Sequence, residues 1–128
     1  MSFSFPTQEK LKSKKRIDQI FAEGSSVTQF PIKLLYVKTT EPTTPQVQAG
    51  VTAAKRNFKK AVSRNRIKRL MRESYRHHKS IVLNNSTASY AFLFIYLGKE
   101  MPTSAVIFRS MEKVLHKFNT KQAHQNET

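Results

Sequence analysis

The amino-acid sequence predicts an α+β fold, and three patterns carry the prediction. Val47 to Ala54 sets Val47, Ala49, Val51 and Ala53 against Gln48, Gly50, Thr52 and Ala54, the period of two that marks a half-buried strand. Tyr90 to Leu97 is a continuous apolar run, as in a strand covered on both faces. Two further segments, one on each side of that run, space their apolar residues as a helix does. At 128 residues and 38% hydrophobic content, the chain is long and apolar enough for one domain with a modest core.

Taken in order, Glu9 to Ala22 reads as a short amphipathic helix. Leu11, Ile17, Ile20 and Phe21 are its apolar positions, Lys10, Lys12, Lys14, Lys15 and Arg16 its basic side, and Gly24 its terminator. Phe30 to Lys38 reads as a strand, with Pro31 at its start, where a missing N–H is tolerated. The proline- and threonine-rich stretch from Thr39 to Gln46 is a loop. After the Val47–Ala54 strand, Asn57 to Lys79 is the longest helix, with Asn57 as N-cap. Asn84 to Ser89 is a polar turn before the Tyr90–Leu97 strand, which Gly98 and Pro102 close. A last helix starts near Thr103 or Ser104 and carries Ile107, Phe108, Met111, Val114, Leu115 and Phe118 at helical spacing. Residues 1–120 are therefore expected to form a single domain, and 121–128 a frayed polar tail.

Charge narrows the function. Lys and Arg number 23 against 8 acidic residues, a net charge of +15. So strong a field opposes compaction unless a polyanion relieves it, and nucleic acid is the commonest such partner. The absence of cysteine excludes disulfides and thiolate metal sites. The start, Met1 to Pro6, lacks the apolar core of a signal peptide. The eight apolar residues of Tyr90–Leu97 fall far short of the ~20 that span a bilayer. A cytoplasmic location without membrane association is the expectation.

The charge is concentrated. Between Lys55 and Lys79 stand eleven basic residues and one acidic residue, Glu73, so this stretch supplies +10 of the total. On a helical projection Asn65, Lys68, Arg69, Arg72, Arg76 and Lys79 share one side. Ile67, Leu70, Met71 and Ser74 lie opposite, with Arg64 and Arg66 on the flanks. A solvated surface helix mixes signs, because like charges four residues apart repel by a few tenths of a kcal/mol. Here Lys68–Arg72 and Arg72–Arg76 are such pairs with almost no offset. Arginine suits phosphate oxygens and can stack on bases. A DNA-binding regulator lacks support, since no helix-turn-helix pair, zinc finger or zipper is evident. A ribosomal-type structural RNA-binding protein and an RNA-processing subunit both fit the charge and this helix.

One motif separates the two. Lys55-Arg56-Asn57-Phe58-Lys59-Lys60-Ala61-Val62-Ser63-Arg64-Asn65-Arg66-Ile67-Lys68-Arg69-Leu70-Met71-Arg72-Glu73-Ser74-Tyr75-Arg76, with Ala49-Gly50-Val51 upstream, closely resembles the signature of the bacterial ribonuclease P protein component family. The resemblance spans about residues 5–118 and includes Leu11, Phe21 and Gly24 at the family's spacing.

It implies a two-layer α/β sandwich in the order α-β-β-β-α-β-α, with a four-stranded sheet. It also implies a left-handed βαβ crossover around the basic helix, against the usual right-handed rule. It implies two RNA surfaces. Arg64, Asn65, Arg66, Lys68, Arg69, Arg72 and Arg76 would face the catalytic RNA. A cleft between the first helix and the sheet would hold the single-stranded 5′ leader of precursor tRNA, with Phe21, Phe30 and Tyr36 as aromatic candidates and Lys55 and Arg56 at its edge. Bases stacking on such rings gain roughly 1–3 kcal/mol each. Two departures stand out: Ile17 occupies a position where many relatives carry an aromatic, and Lys99 follows Gly98 where relatives often place an arginine.

Nothing suggests that the protein cuts RNA itself. The one Asp and seven Glu are scattered, with no two within four positions, whereas Mg²⁺-dependent nucleases cluster carboxylates. His77 and His78 are adjacent on a helix and diverge by about 100°, and His116 and His124 pair with nothing evident in the sequence. The resemblance accordingly implies an endoribonuclease subunit with no catalytic residues of its own. The RNA would hold the Mg²⁺ and perform the hydrolysis, the partners would be the ribonuclease P RNA and precursor tRNA, and no obligate protein partner is expected.

Overall fold

The computed structural model describes residues 11, 14–39, 47–83 and 89–126. Among these residues, four helices surround one four-stranded sheet: α1 (Lys14–Glu23), β1 (Ser25–Gln29), β2 (Ile32–Lys38), β3 (Val47–Ala53), α2 (Ala61–His78), a single turn α3 (Ser80–Leu83), β4 (Tyr90–Tyr96) and α4 (Ser104–Asn126). The strand order is β1-β2-β4-β3. β1 and β4 each run antiparallel to β2, and β3 runs parallel to β4. The connection between the parallel pair carries α2, as parallel strands require a long crossover.

β4 lies between β2 and β3, which explains its unbroken apolar run. Tyr90, Phe92, Phe94 and Tyr96 face α2 and α4 together with Ile32, Leu34, Tyr36, Val47, Ala49 and Ala53. Ile67, Met71 and Tyr75 of α2, and Ile107, Met111, Val114, Leu115 and Phe118 of α4, close that core. On the opposite face Ala91 and Leu93 meet Ile20 of α1 and Leu11, with Ile17, Leu35, Val37 and Ile95 packed around them. The sandwich of sheet and two long helices thus carries the short α1 on its other side. Among the described residues, no helix is long and apolar enough to cross a membrane.

Several boundaries differ from the sequence expectation, each for a tertiary reason. The expected start of the first helix lies largely outside the described residues. Leu11, assigned to that helix, is instead non-helical: its N–H donates to Ala49 O at 2.9 Å and its side chain lies over Gly50. Gly24 does end α1, but without a positive φ. A Cβ there would stand 2.3 Å from Ile20 O and 2.9 Å from Tyr36 O, so the helix end is pressed against β2 too closely for any side chain.

β1 has only one apolar residue, Val27, and no readable periodicity; its place as an edge strand rests on backbone pairing and on α4. Lys117 Nζ donates to Thr28 O at 2.9 Å, Lys121 Nζ to Ser26 O at 3.1 Å, and Ser110 Oγ to Phe30 O at 3.4 Å. These contacts occupy carbonyls that a sheet edge otherwise offers to another chain. They also correct the expected frayed tail. Helix α4 runs on to Asn126, and Gln122 bridges Tyr36 Oη and Tyr90 Oη at 3.1 and 3.2 Å.

The basic helix begins later than expected. Asn57 is not its N-cap but part of a turn, its N–H donating to Ala54 O at 3.2 Å. Burial of Phe58 against Tyr96, with centroids 5.9 Å apart, holds residues 57–60 out of the helix. Lys60 occupies the N-cap position without a side-chain bond.

Candidate nucleic-acid interface

The basic ridge is helical from Ala61 to His78, and its apolar side is close to the projected one, with Tyr75 added to it and Leu70 only half-buried. Ile67, Met71, Ser74 and Tyr75 are buried. Asn65, Arg66, Arg69 and Arg72 are therefore exposed on the far side, with Lys68 and Arg76 partly so. Arg69, Arg72, Glu73 and Arg76 line a shallow depression on that surface. Glu73 approaches Arg76 at 3.9 Å, a distance and exposure at which an ion pair contributes little. Among the described residues, no carboxylate pairs with Arg64, Arg66, Lys68, Arg69 or Arg72. The repulsion along the ridge is not relieved from within the described chain.

Arg64 differs from its neighbours. Its Nη1 donates to Phe58 O at 2.7 Å and to Lys59 O at 3.0 Å. The guanidinium donates to carbonyls and so does not replace an N-cap acceptor, but it ties the 57–60 segment to the first turn of the helix. That segment and the two residues before it present Lys55, Arg56, Lys59 and Lys60, all exposed. Lys59 and Lys60 belong to the basic sequence motif but not to the helical face that the projection defines. They extend the ridge past the end of α2.

A second surface lies on the α1 side of the sheet. Strand register sets its rows: Val37, Ala91 and Gln48; Leu35, Leu93 and Gly50; Lys33, Ile95 and Thr52. The last row is partly exposed. Phe21 is 61% exposed on α1, although its spacing from Ile17 and Ile20 would let it pack inward. Gly24 lies against Tyr36 O, so Phe21, three residues earlier, borders the Tyr36 end of the sheet. Lys55 and Arg56 follow Ala53, at the opposite end, where Ala53, Tyr96 and Ile32 align. The strip between them is about one strand long, roughly 20 Å, with Lys33 and Thr52 as polar groups on it that sequence patterning alone did not single out.

Two aromatic candidates are relocated. Tyr36 is not in the α1-side cleft. It points to the other face, 4% exposed, with Phe118 at 4.8 Å edge-on and a hydrogen bond from Gln122. Alternation on β2 fixes this: Ile32, Leu34 and Tyr36 face α4, and Lys33, Leu35 and Val37 face α1. Phe30 lies in the β1–β2 turn beyond the end of the sheet and is 69% exposed. Sequence could not separate these cases, because a one-residue shift of register exchanges the faces.

Comparison with known proteins bears on the family and the fold. The model of the family described as Ribonuclease P matches residues 5–119. The ribonuclease P protein component of Porphyromonas gingivalis is 31% identical over 117 residues, covering 89% of this chain and 85% of that protein. Its counterpart in Chlorobium phaeobacteroides is 30% identical over 126 residues, covering 88% and 86%. The Staphylococcus aureus RNase P protein superposes with a TM-score of 0.69 at 25% identity, covering 84% of this chain and 93% of that one. The Thermotoga maritima RNase P protein shares the fold with a TM-score of 0.69 at 21% identity, covering 85% and 96%.

Proposed function

The chain belongs to the ribonuclease P protein component family, and from that premise we propose that it binds the catalytic RNA through the α2 ridge and the 5′ leader of precursor tRNA through the α1-side face of the sheet. The holoenzyme so formed removes the leader by Mg²⁺-dependent hydrolysis, with Mg²⁺ held mainly by the RNA. The observation that carries this reading is the ridge itself: five exposed or half-exposed cationic side chains, Arg64 to Arg72, with no carboxylate partner among the described residues.

The protein's contribution is electrostatic and geometric. Two RNAs repel each other, and a row of guanidinium groups fixed on a rigid helix lowers that repulsion without reorganising. The sheet face orients a single strand, with Phe21 offering a ring to one base and Lys55 and Arg56 meeting its phosphates at the other end. By holding both RNAs, the protein lets cleavage proceed with less Mg²⁺ than the RNA alone requires.

The test is reconstitution. A bacterial ribonuclease P RNA at low Mg²⁺ is expected to cleave precursor tRNA only when this protein is added, and the protein alone is expected to cleave none. Tight binding to ribosomal RNA, with no binding to ribonuclease P RNA and no rescue of cleavage, would instead favour a structural ribosomal role.

A further inference from the structure

We propose that the corner formed by Phe30, Leu97, Met101 and Val106 is a separate subsite for single-stranded RNA, taking leader nucleotides that extend past the end of the sheet face. This rests on the leader-binding reading above and adds a surface to it.

Hydrogen bonds bring the corner together. Leu97 N–H donates to Pro31 O at 2.7 Å, and Ser110 Oγ donates to Phe30 O at 3.4 Å. The β1–β2 turn therefore touches both the segment after β4 and the first turns of α4. Tyr96 Oη donates to Glu100 O at 2.7 Å, which folds residues 97–100 back on the strand end and leaves Met101 outside. Thr103 Oγ1 accepts from Val106 N–H at 3.2 Å, capping α4. Val106 then stands one turn before Ser110. All four apolar side chains are exposed. Single exposed apolar residues are ordinary, whereas these four are held at one end of the sheet by the bonds above, the kind of grouping a contact surface uses.

The rim says what that contact is. Lys99 and Arg109 are exposed beside the apolar group, and Lys33 stands on the strand that leaves the turn. Lys55 and Arg56 lie across the same end of the sheet, two strand spacings or about 10 Å away. Glu100 is the one carboxylate in the 97–101 segment. Among the described residues no ion pair neutralises Lys33, Lys99 or Arg109. A second copy of the chain, at +15, would bring like charge to this rim. An unpaired RNA strand supplies what both parts need: phosphates for the cations and an open base face for the Phe30 ring. Leu97 lies one alternation beyond Ile95 on the same face of β4, so a strand leaving the Lys33–Ile95–Thr52 row reaches the corner through Leu97.

Leader length is the readout. Reconstituted holoenzyme is mixed with precursor tRNAs whose leaders lengthen one nucleotide at a time, and affinity is measured for wild type, Phe30→Ala and Phe30→Trp. The Phe30→Ala penalty is expected to be absent for short leaders and to rise to about 5-fold or more once the leader reaches the corner, while Phe30→Trp keeps the wild-type profile. Met101→Ser with Val106→Ser is expected to reproduce the length dependence. A penalty equal at all lengths, or none at any length, overturns the subsite. So does wild-type self-association that Phe30→Ala abolishes, which would assign the corner to a second copy. Failure of every protein to support cleavage of any leader would instead remove the holoenzyme reading.

Discussion

Replacing Arg66, Arg69 and Arg72 together with Ala is expected to weaken binding to the catalytic RNA by about 100-fold or more at moderate salt. The three are exposed, share one helix and have no carboxylate partners among the described residues. Removing a guanidinium from a phosphate is also expected to make the slope of log affinity against log salt shallower by somewhat less than one, so the triple variant is about two to three units flatter. The weaker binding will not come from unfolding. Alanine is the better helix former, and removing charge relieves repulsion with Lys68 and Arg76, so thermal stability stays level or rises. Arg64→Ala is the contrast: it removes two hydrogen bonds at the helix entry, so it lowers stability as well as affinity. Binding and salt slope unchanged in the triple variant would contradict the assignment of this face.

Tyr36→Ala is expected to lower stability by about 3–5 kcal/mol, the range for deleting a fully buried aromatic ring. The ring fills the space between Tyr90 and Phe118, at 6.4 and 4.8 Å, and its hydroxyl anchors Gln122. For a chain of this size that is a fall of about 10 °C or more in Tm. Tyr36→Phe keeps the ring and loses one hydrogen bond, about 1 kcal/mol. Measured well below its Tm, Tyr36→Phe is expected to bind leader as wild type does. Thermal denaturation and leader-binding titrations check both. A variant at this position that loses leader affinity while keeping full stability would put Tyr36 on the leader-facing side of the sheet instead.

The basic ridge and Tyr36 show where the sequence was legible and where it was not. The face of α2 was readable because a helix of 18 residues repeats its pattern several times, and each repeat agrees: Ile67, Met71, Ser74 and Tyr75 go in, Arg69 and Arg72 go out. The doubly covered β4 was readable for the same reason, from seven consecutive residues without a polar break. A strand such as Ile32–Lys38, with Leu34 and Leu35 adjacent, is ambiguous between registers, and the neighbouring chain decides which leucine faces which helix. Ser25–Gln29 has no pattern to read, since an edge strand is held by backbone groups that every residue carries. The length of α4 was hidden for a related reason: Lys121 and Gln122 are polar by composition, yet they are fixed by acceptors 95 and 86 residues away. Arg64 stands between these cases. Its place in the motif was evident, while its bonds to Phe58 O and Lys59 O follow from Phe58 leaving the helix to pack on Tyr96.

The chain has no cysteine, so a single introduced thiol is unique and can carry a tethered hydroxyl-radical source. Glu73→Cys places it among Arg69, Arg72 and Arg76, and Thr120→Cys places it on the exposed side of α4. In complex with ribonuclease P RNA, the probe at position 73 is expected to cut the RNA strongly at a few defined positions and the probe at 120 weakly or not at all. Strong cuts from 120 with none from 73 would show that the RNA docks elsewhere and that the unneutralised ridge on α2 is not its binding surface.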